Sequence, residues 1–338
     1  MRQVLRFLVG VGAGSAILVG YLYTVGAETV LSRVTVVAPW ALAVVALLVI
    51  LEGLADAIGV WASIAPLGNG ISKAQSVQFA LAGDFFDTLS PAGPVSSEPI
   101  MARFFSVETE TGYSEALGVR STAKYVKSGV QVLFSGTLGL FILLDTPAAT
   151  PIVLTLGISL TGLVLFGGLI LRSRTRLSTG LVVVLTPVVT WLSSLYRDQP
   201  YDRAFVATAV DQYWQRIVDF RETPRLLLLI AVGGLLEQFL TATALWVALS
   251  GVGVDSVFLP ILIVIPLPQV ASVIPIPGSL GAYDVLLGGA LVVVTGVPTA
   301  VATAAVLLFR TLSLPFSALA GGLCVGCLRG WRPRSNVW

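Results

Sequence analysis

The chain has 338 residues, 56% of them hydrophobic and only 11% charged, with a mean hydropathy of +0.91 and a formal net charge of +2. Soluble domains carry about a quarter charged residues, so these figures exclude a soluble globular protein and point to an integral membrane protein. The absence of histidine removes the commonest general base and metal ligand, and no Gly-rich phosphate loop of the nucleotide-binding kind is present.

In chain order, the first apolar run, Val4 to Thr24, follows Arg2 and Arg6 and lacks a small-residue cleavage site, so it reads as a retained first helix. Further spans are expected over Pro39 to Trp61, Val126 to Leu144, Ile152 to Leu171, Leu226 to Leu249, Val257 to Ile274 and Thr311 to Cys327. Between them lie pieces too short or too polar to cross. Gln75 to Ser90 carries Asp84 and Asp87 on an apolar helical pattern and breaks at "PAGP"; Gly281 to Val294 ends at "TGVP" before another short run, Thr299 to Leu308. Such lengths and breakers predict re-entrant or discontinuous helices, which a bilayer tolerates only where they line a protein-walled cavity.

The basic residues cluster at Arg2 and Arg6, at 172–176, from Arg197 to Arg225 and in the tail with Arg329, Arg332 and Arg334, whereas the connectors near Asp145 and Asp255 have none. Positive loops stay inside. Both termini are therefore expected on the cytoplasmic side of a plasma membrane. Leu181 to Leu195, with basic clusters on either side, reads as a segment on or in the cytoplasmic leaflet. Val206 to Phe220 places Val206, Val210, Tyr213, Ile217 and Phe220 on one face, the period of an interfacial amphipathic helix. Residues 181–222 are thus an interfacial segment within a single domain, 1–338.

The two breaks resemble each other. Pro91 precedes Glu98 by seven residues in "PAGPVSSE", as Pro277 precedes Asp284 in "PGSLGAYD", and paired Gly/Pro-interrupted segments in two halves are the sequence pointer to a transporter's central site. At these breaks Pro91, Gly93, Pro277, Gly278 and Gly281 end helices and permit reversals, which exposes helix-end amides able to hold an anion.

Ionisable residues at membrane depth cost about 2.5–3.5 kcal/mol each, so those here require partners or water. Glu52 and Asp56 share a face of the second span; Asp84, Asp87, Glu98, Arg103, Glu237, Asp284 and Arg310 complete the set of cavity candidates. Arg103 with Glu98 and Arg310 with Asp284 can equally be structural ion pairs. Arg310 either caps a break or faces a cavity, where its guanidinium suits a phosphate. Arg120, Lys124 and Lys127 read as topology signals or as a portal for anionic headgroups. Cys324 and Cys327 read as packing residues.

"LSPAGPVSSEPIMARFF" and, far downstream, "VIPIPGSLGAYDVLLGGALVVVTGVPTAVATAAVLLFRTLS" resemble the flippase-like transmembrane region of the lysylphosphatidylglycerol synthase family. Glu98 and Pro99 match its Glu-Pro loop, Pro277, Gly278 and Gly281 its Pro-Gly-Gly-x-Gly-x-x-Glu loop, and Arg310 its later arginine; Ser279 and Asp284 depart from that pattern. The resemblance implies movement of an anionic, aminoacylated or polyprenyl-linked lipid between leaflets, without the soluble aminoacyl-transferring domain.

Together these readings predict an all-α polytopic bundle of about eight membrane-embedded segments, with two broken hairpins around a central cavity. The expected protein is a lipid translocator and not an enzyme, with no cofactor and no metal. Its expected partners are membrane lipids, a second copy of itself or a lipid-modifying enzyme, and no nucleic acid. Two rivals stand beside it. One is a transferase acting on lipid-linked sugars, with Asp84 and Asp87 as metal ligands beside Asp284; the other is a scaffold for lipid modification.

Overall fold

The computed structural model describes residues 15, 16, 18–35, 37–89, 94–143, 147–194, 202–219, 222–269, 279 and 281–329, and among these every regular element is a helix. In chain order they are α1 (18–25), α2 (Ala27–Thr35), α3 (Pro39–Ile64), α4 (Lys73–Leu89), α5 (Pro94–Thr109), α6 (Tyr113–Ile142), α7 (Thr150–Arg172), α8 (Arg174–Ser194), α9 (Arg203–Asp219), α10 (Pro224–Gly251), α11 (Phe258–Val264), α12 (Ala282–Thr295) and α13 (Thr299–Gly326). Five of them, α3, α6, α7, α10 and α13, are long and apolar enough to cross a bilayer. Their outward sides are apolar too: Phe141, Ile158, Leu165, Leu319 and Leu323 stand mostly exposed. A helix that is apolar on both its packed and its outer face belongs in lipid. The protein is an all-helical polytopic membrane bundle.

The centre of the bundle is the crossing of α3 with α10. The two run antiparallel. Ala41 meets Gly251, Glu52 meets Thr241, and Gly59 meets Gly233. A Cβ on Gly233 would lie 3.0 Å from the Gly59 nitrogen and 3.4 Å from the Ala55 carbonyl oxygen, so the backbones approach as only small residues allow, the usual device where lipid supplies no hydrophobic drive between helices. Gly233→Leu is expected to destabilise by about 1–3 kcal/mol through overpacking. Gly289→Ala, at a position with nothing within 4 Å, is expected to be neutral or slightly stabilising. Thermal unfolding in detergent checks both.

Two hairpins of short helices flank this centre. At about 1.5 Å per residue, the 17 residues of α4 and 16 of α5 fall short of the ~30 Å hydrocarbon core. The first hairpin is closed at its base by a reciprocal cap. The Ser72 amide donates to Gln75 Oε1 (2.8 Å) and the Gln75 amide to Ser72 Oγ (3.2 Å), while Gln75 Nε2 donates to Glu108 at the end of α5 (2.5 Å). In the second hairpin α12 starts at Gly281, whose φ of 75° favours glycine. Its amide donates to Asp284 Oδ2 at 2.9 Å, so the acid in the first turn caps its own helix.

Several sequence expectations change. The run from Val257 is not one continuous α-helix over its described residues: α11 covers Phe258–Val264 and the chain then turns at Ile265 and Pro266, where prolines 266 and 268 withhold the amides a helix needs, while residues 270–274 of the expected span lie outside the described ones. Conversely, the two runs expected between Thr299 and Cys327 form one helix, Thr299–Gly326, of 28 residues, and Arg310 lies in its middle. The span expected from Val126 begins at Tyr113, which carries Arg120, Lys124 and Lys127 inside the helix. The apolar stripe of α9 is covered by protein: Val206, Val210 and Trp214 are buried in a cluster with Val182 of α8, and α6 packs on the same helix. Pro91, Gly93, Pro277 and Gly278 lie outside the described residues.

Candidate functional site

Where α3, α4, α10, α12 and α13 converge they enclose a cavity of about 170 Å³. α3 supplies Val49, Glu52, Gly53 and Asp56, α4 supplies Asp84, Asp87 and Thr88, and α10 supplies Glu237. Tyr283 of α12 and the α13 face with Arg310, Ser313 and Ser317 complete the wall. Five carboxylates thus face one guanidinium across a space that holds a few waters or a compact headgroup.

Arg310 is fixed from two sides. Its Nε stands 3.2 Å from Asp284 Oδ1 and its guanidinium carbon lies 4.6 Å over the Tyr283 ring. Asp284 is 3% exposed and also holds the Gly281 amide, so the carboxylate that caps α12 positions the arginine. The sequence pairing of Arg310 with Asp284 is therefore present, and Arg310 both pairs and faces the cavity.

Behind the cavity the acids are met from α6. Lys127 Nζ donates to Asp56 Oδ1 at 2.6 Å and forms a second ion pair with Glu237, linking α3 to α10. One turn earlier Lys124 contacts Asp87 at 3.3 Å and Glu98 at 2.8 Å, and Arg120 grips Glu98 with two hydrogen bonds, 3.0 and 2.9 Å. Ser97 donates its hydroxyl to Asp87. Arg120 and Lys124 of α6 thus occupy Glu98, where the sequence suggested Arg103; Arg103 sits half-buried on α5.

Glu52 accepts a hydrogen bond from Thr241 at 2.8 Å. Asp84 differs from its neighbours: among the described residues it makes neither an ion pair nor a hydrogen bond, and it faces the cavity. Of the sequence candidates, Asp84, Asp87, Glu237 and Arg310 therefore line one space, Asp284 supports it, and Glu98 belongs to the adjoining ion-pair network rather than to the wall.

Three residues that the sequence treated as topology signals, Arg120, Lys124 and Lys127, prove to be the cations of this network. The available signal was their spacing of four and three, which puts them on one helix face. The buried amides Gln131 and Gln238 were missed. Gln131 donates from Nε2 to the Gly234 carbonyl (2.8 Å) and accepts at Oε1 from Gln269 Nε2 (2.9 Å); Gln238 Nε2 donates to Ser135 Oγ (2.8 Å) and the Leu262 carbonyl (2.9 Å).

Arg120→Met is expected to destabilise the protein by about 1.5–3 kcal/mol, because a mostly buried carboxylate loses its two charge-assisted hydrogen bonds and keeps only Lys124. Adding Glu98→Gln should restore most of the loss. Denaturant unfolding of the two variants in detergent decides it. Asp284, the third ligand of the metal-dependent rival, is engaged by Arg310 and the Gly281 amide, and among the described residues no three acids or cysteines are grouped as metal ligands.

Fold and site together define a polytopic helical membrane protein whose short hairpins and long helices enclose a charged, headgroup-sized cavity. The model of the lysylphosphatidylglycerol synthase transmembrane region matches residues 3–321, and the chain belongs to that family, a membrane domain tied to lipid modification or translocation. Among curated proteins no relative matches it.

Proposed function

We propose that this protein translocates a phospholipid between leaflets, holding the headgroup in the cavity between α4 and α13, without a catalytic step. The observation that carries this reading is the composition of the wall: Arg310 is the one cation lining the described cavity, and Glu52, Asp56, Asp84, Asp87 and Glu237 surround it. A headgroup that is only anionic is poorly served there. At an effective dielectric constant near 20, a unit anion about 8 Å from a carboxylate is repelled by about 2 kcal/mol. A headgroup with both signs fits better: its phosphate takes Arg310, and an ammonium takes Asp84. Of the lipid classes suggested by the sequence, an aminoacylated phospholipid satisfies both.

The partners in this reading are membrane lipids, with a lipid-modifying enzyme as the source of the aminoacylated form. The setting is a plasma membrane with both chain termini cytoplasmic, as the arginine distribution supports.

Binding of short-chain aminoacylated phosphatidylglycerol and of unmodified phosphatidylglycerol to the detergent-purified protein tests the headgroup assignment. The aminoacylated form is expected to bind at least about tenfold tighter, and Asp84→Asn to remove most of that preference, the loss of one charge-assisted contact worth about 1.5–3 kcal/mol. Equal binding of the two lipids by the parent would refute it.

A further inference from the structure

The order long, short, short, long occurs twice among these helices, in α3 to α6 and again in α10 to α13. The packing repeats with it. Successive helices are in contact within both units; α4 lies on α13 as α11 lies on α6, and α3 lies on α13 as α10 lies on α6. The units meet through α3 and α10, their first helices, which run antiparallel with Ala41 at Gly251 and Gly59 at Gly233. Two equivalent helices packed antiparallel on each other are related by an axis perpendicular to both. For helices that cross a bilayer, that axis lies in the membrane plane, the relation of an inverted repeat.

The charged residues follow the same relation. Glu52 and Glu237 each stand thirteen positions past the proline that opens their helix, Pro39 or Pro224. Glu98 and Asp284, on the second short helix of each unit, each pair with an arginine of the following long helix, Arg120 or Arg310. Bringing Arg120 onto Arg310 places Ala123 at Ser313 and Lys127 at Ser317; bringing Glu52 onto Glu237 places Val49 at Gly234. Ser313, Ser317 and Val49 line the open cavity. At the equivalent place Lys127 packs its stem onto Gly234, where an added Cβ would lie 2.8 Å from Lys127 Cγ, and its ammonium enters between Asp56 and Glu237. The bonds of Gln131 to Gln269 and of Gln238 to the Leu262 carbonyl close the same region.

We propose that the protein is an inverted repeat with two equivalent cavities, one open between α4 and α13 and one filled between α11 and α6, and that Lys127 is the plug of the filled one. When α4 closes on α13, Lys127 withdraws and the second cavity opens toward the opposite face of the membrane. The small side chain at Ser317, where the first unit has a lysine, sets which cavity is open in this structure.

Thiol labelling tests this without any lipid cargo, so its outcome is independent of the headgroup assignment. In a Cys324→Ser, Cys327→Ser background, Ser317→Cys reports the open cavity and Ala123→Cys, at a buried position, the filled one. With reconstituted protein and an impermeant maleimide, Ser317→Cys is expected to react at least about tenfold faster than Ala123→Cys. Adding Lys127→Ser is expected to raise Ala123→Cys labelling at least about tenfold, from the face opposite to the one that labels Ser317→Cys.

A second arm keeps Lys127 in place, since its loss strips two carboxylates of their counter-ion. Thr88→Cys and Ser313→Cys, on the α4 and α13 walls, are bridged by a short dithiol-reactive linker, after which Ala123→Cys is expected to become reactive. Failure of the bridge to form, or protection of Ala123→Cys once it has formed, overturns the proposal, as does unchanged Ala123→Cys labelling in a folded Lys127→Ser protein.

Discussion

Arg310→Ala is expected to reduce lipid translocation by thirtyfold or more while leaving the helical bundle intact. The guanidinium lines the cavity, sits over Tyr283 and is aimed by Asp284. Truncating one partner of a buried, hydrogen-bonded charge contact costs about 2–5 kcal/mol, and each 1.4 kcal/mol is about tenfold. The same substitution leaves the buried Asp284 without its cation, so a structural loss has to be separated from a functional one. Arg310→Ala combined with Asp284→Asn does so: stability returns while transport stays low. Arg310→Lys should recover only part of the activity, because an ammonium offers a point charge where the fork of the guanidinium offers two parallel donors. Recovery of transport in the double variant would mean that Arg310 only holds α12 in place.

Lys127→Met is expected to have the largest effect on stability. One ammonium serves both Asp56 of α3 and Glu237 of α10, at the crossing where the two units meet. Its removal leaves two acids facing each other with Glu52 nearby, and breaking a buried pair by deleting one member costs about 3–5 kcal/mol. Neutralising the acids should reverse this. Lys127→Met with Asp56→Asn and Glu237→Gln is expected to unfold within about 1 kcal/mol of the parent, since replacing a whole buried ion cluster by neutral groups is often tolerated. Denaturant unfolding in detergent gives both numbers, and a single Lys127→Met variant as stable as the parent would show that the triad contributes nothing.

The membrane class was legible because hydrophobic length is additive along the chain: a run of apolar residues crosses a bilayer whatever surrounds it. So were α3, α7 and α10, whose bounds fall within a few residues of the expected ones. The polar start of α6 was not. From Tyr113 to Lys127 the helix carries Glu115, Arg120, Lys124 and Lys127, and a window that sums hydropathy reads such a stretch as a loop. What makes it a buried helix is the set of acids on α3, α4, α5 and α10, which only the fold brings within reach. α11 failed for the converse reason: an apolar composition sufficient for a span conceals prolines 266 and 268, before which the α-helix ends after seven residues.

The site was partly legible. Asp84, Asp87, Glu237 and Arg310 stand out as charges in apolar surroundings, and the structure puts all four around one cavity. The division of labour among them was not readable, since an acid already held by a lysine and an acid left open to a ligand look alike in sequence. Asp87 has Lys124 and Ser97, Glu237 has Lys127, and Asp84 has neither kind of partner among the described residues. The matched prolines of the two breaks, Pro91 and Pro277, lie outside the described residues, and the acids seven positions on, Glu98 and Asp284, are the part of the match on which the proposed inverted repeat rests.

The central claim is that a lipid headgroup crosses the membrane through the Arg310 cavity. Its most direct test places purified protein in vesicles that contain a trace of aminoacylated phosphatidylglycerol, inserted only in the outer leaflet and followed with an impermeant amine-reactive reagent. With the parent protein the reactive fraction should fall toward one half as the lipid equilibrates, and with Arg310→Ala it should stay near the protein-free value. A reactive fraction that remains at its starting value in parent vesicles, with the protein shown to be folded, would contradict the account.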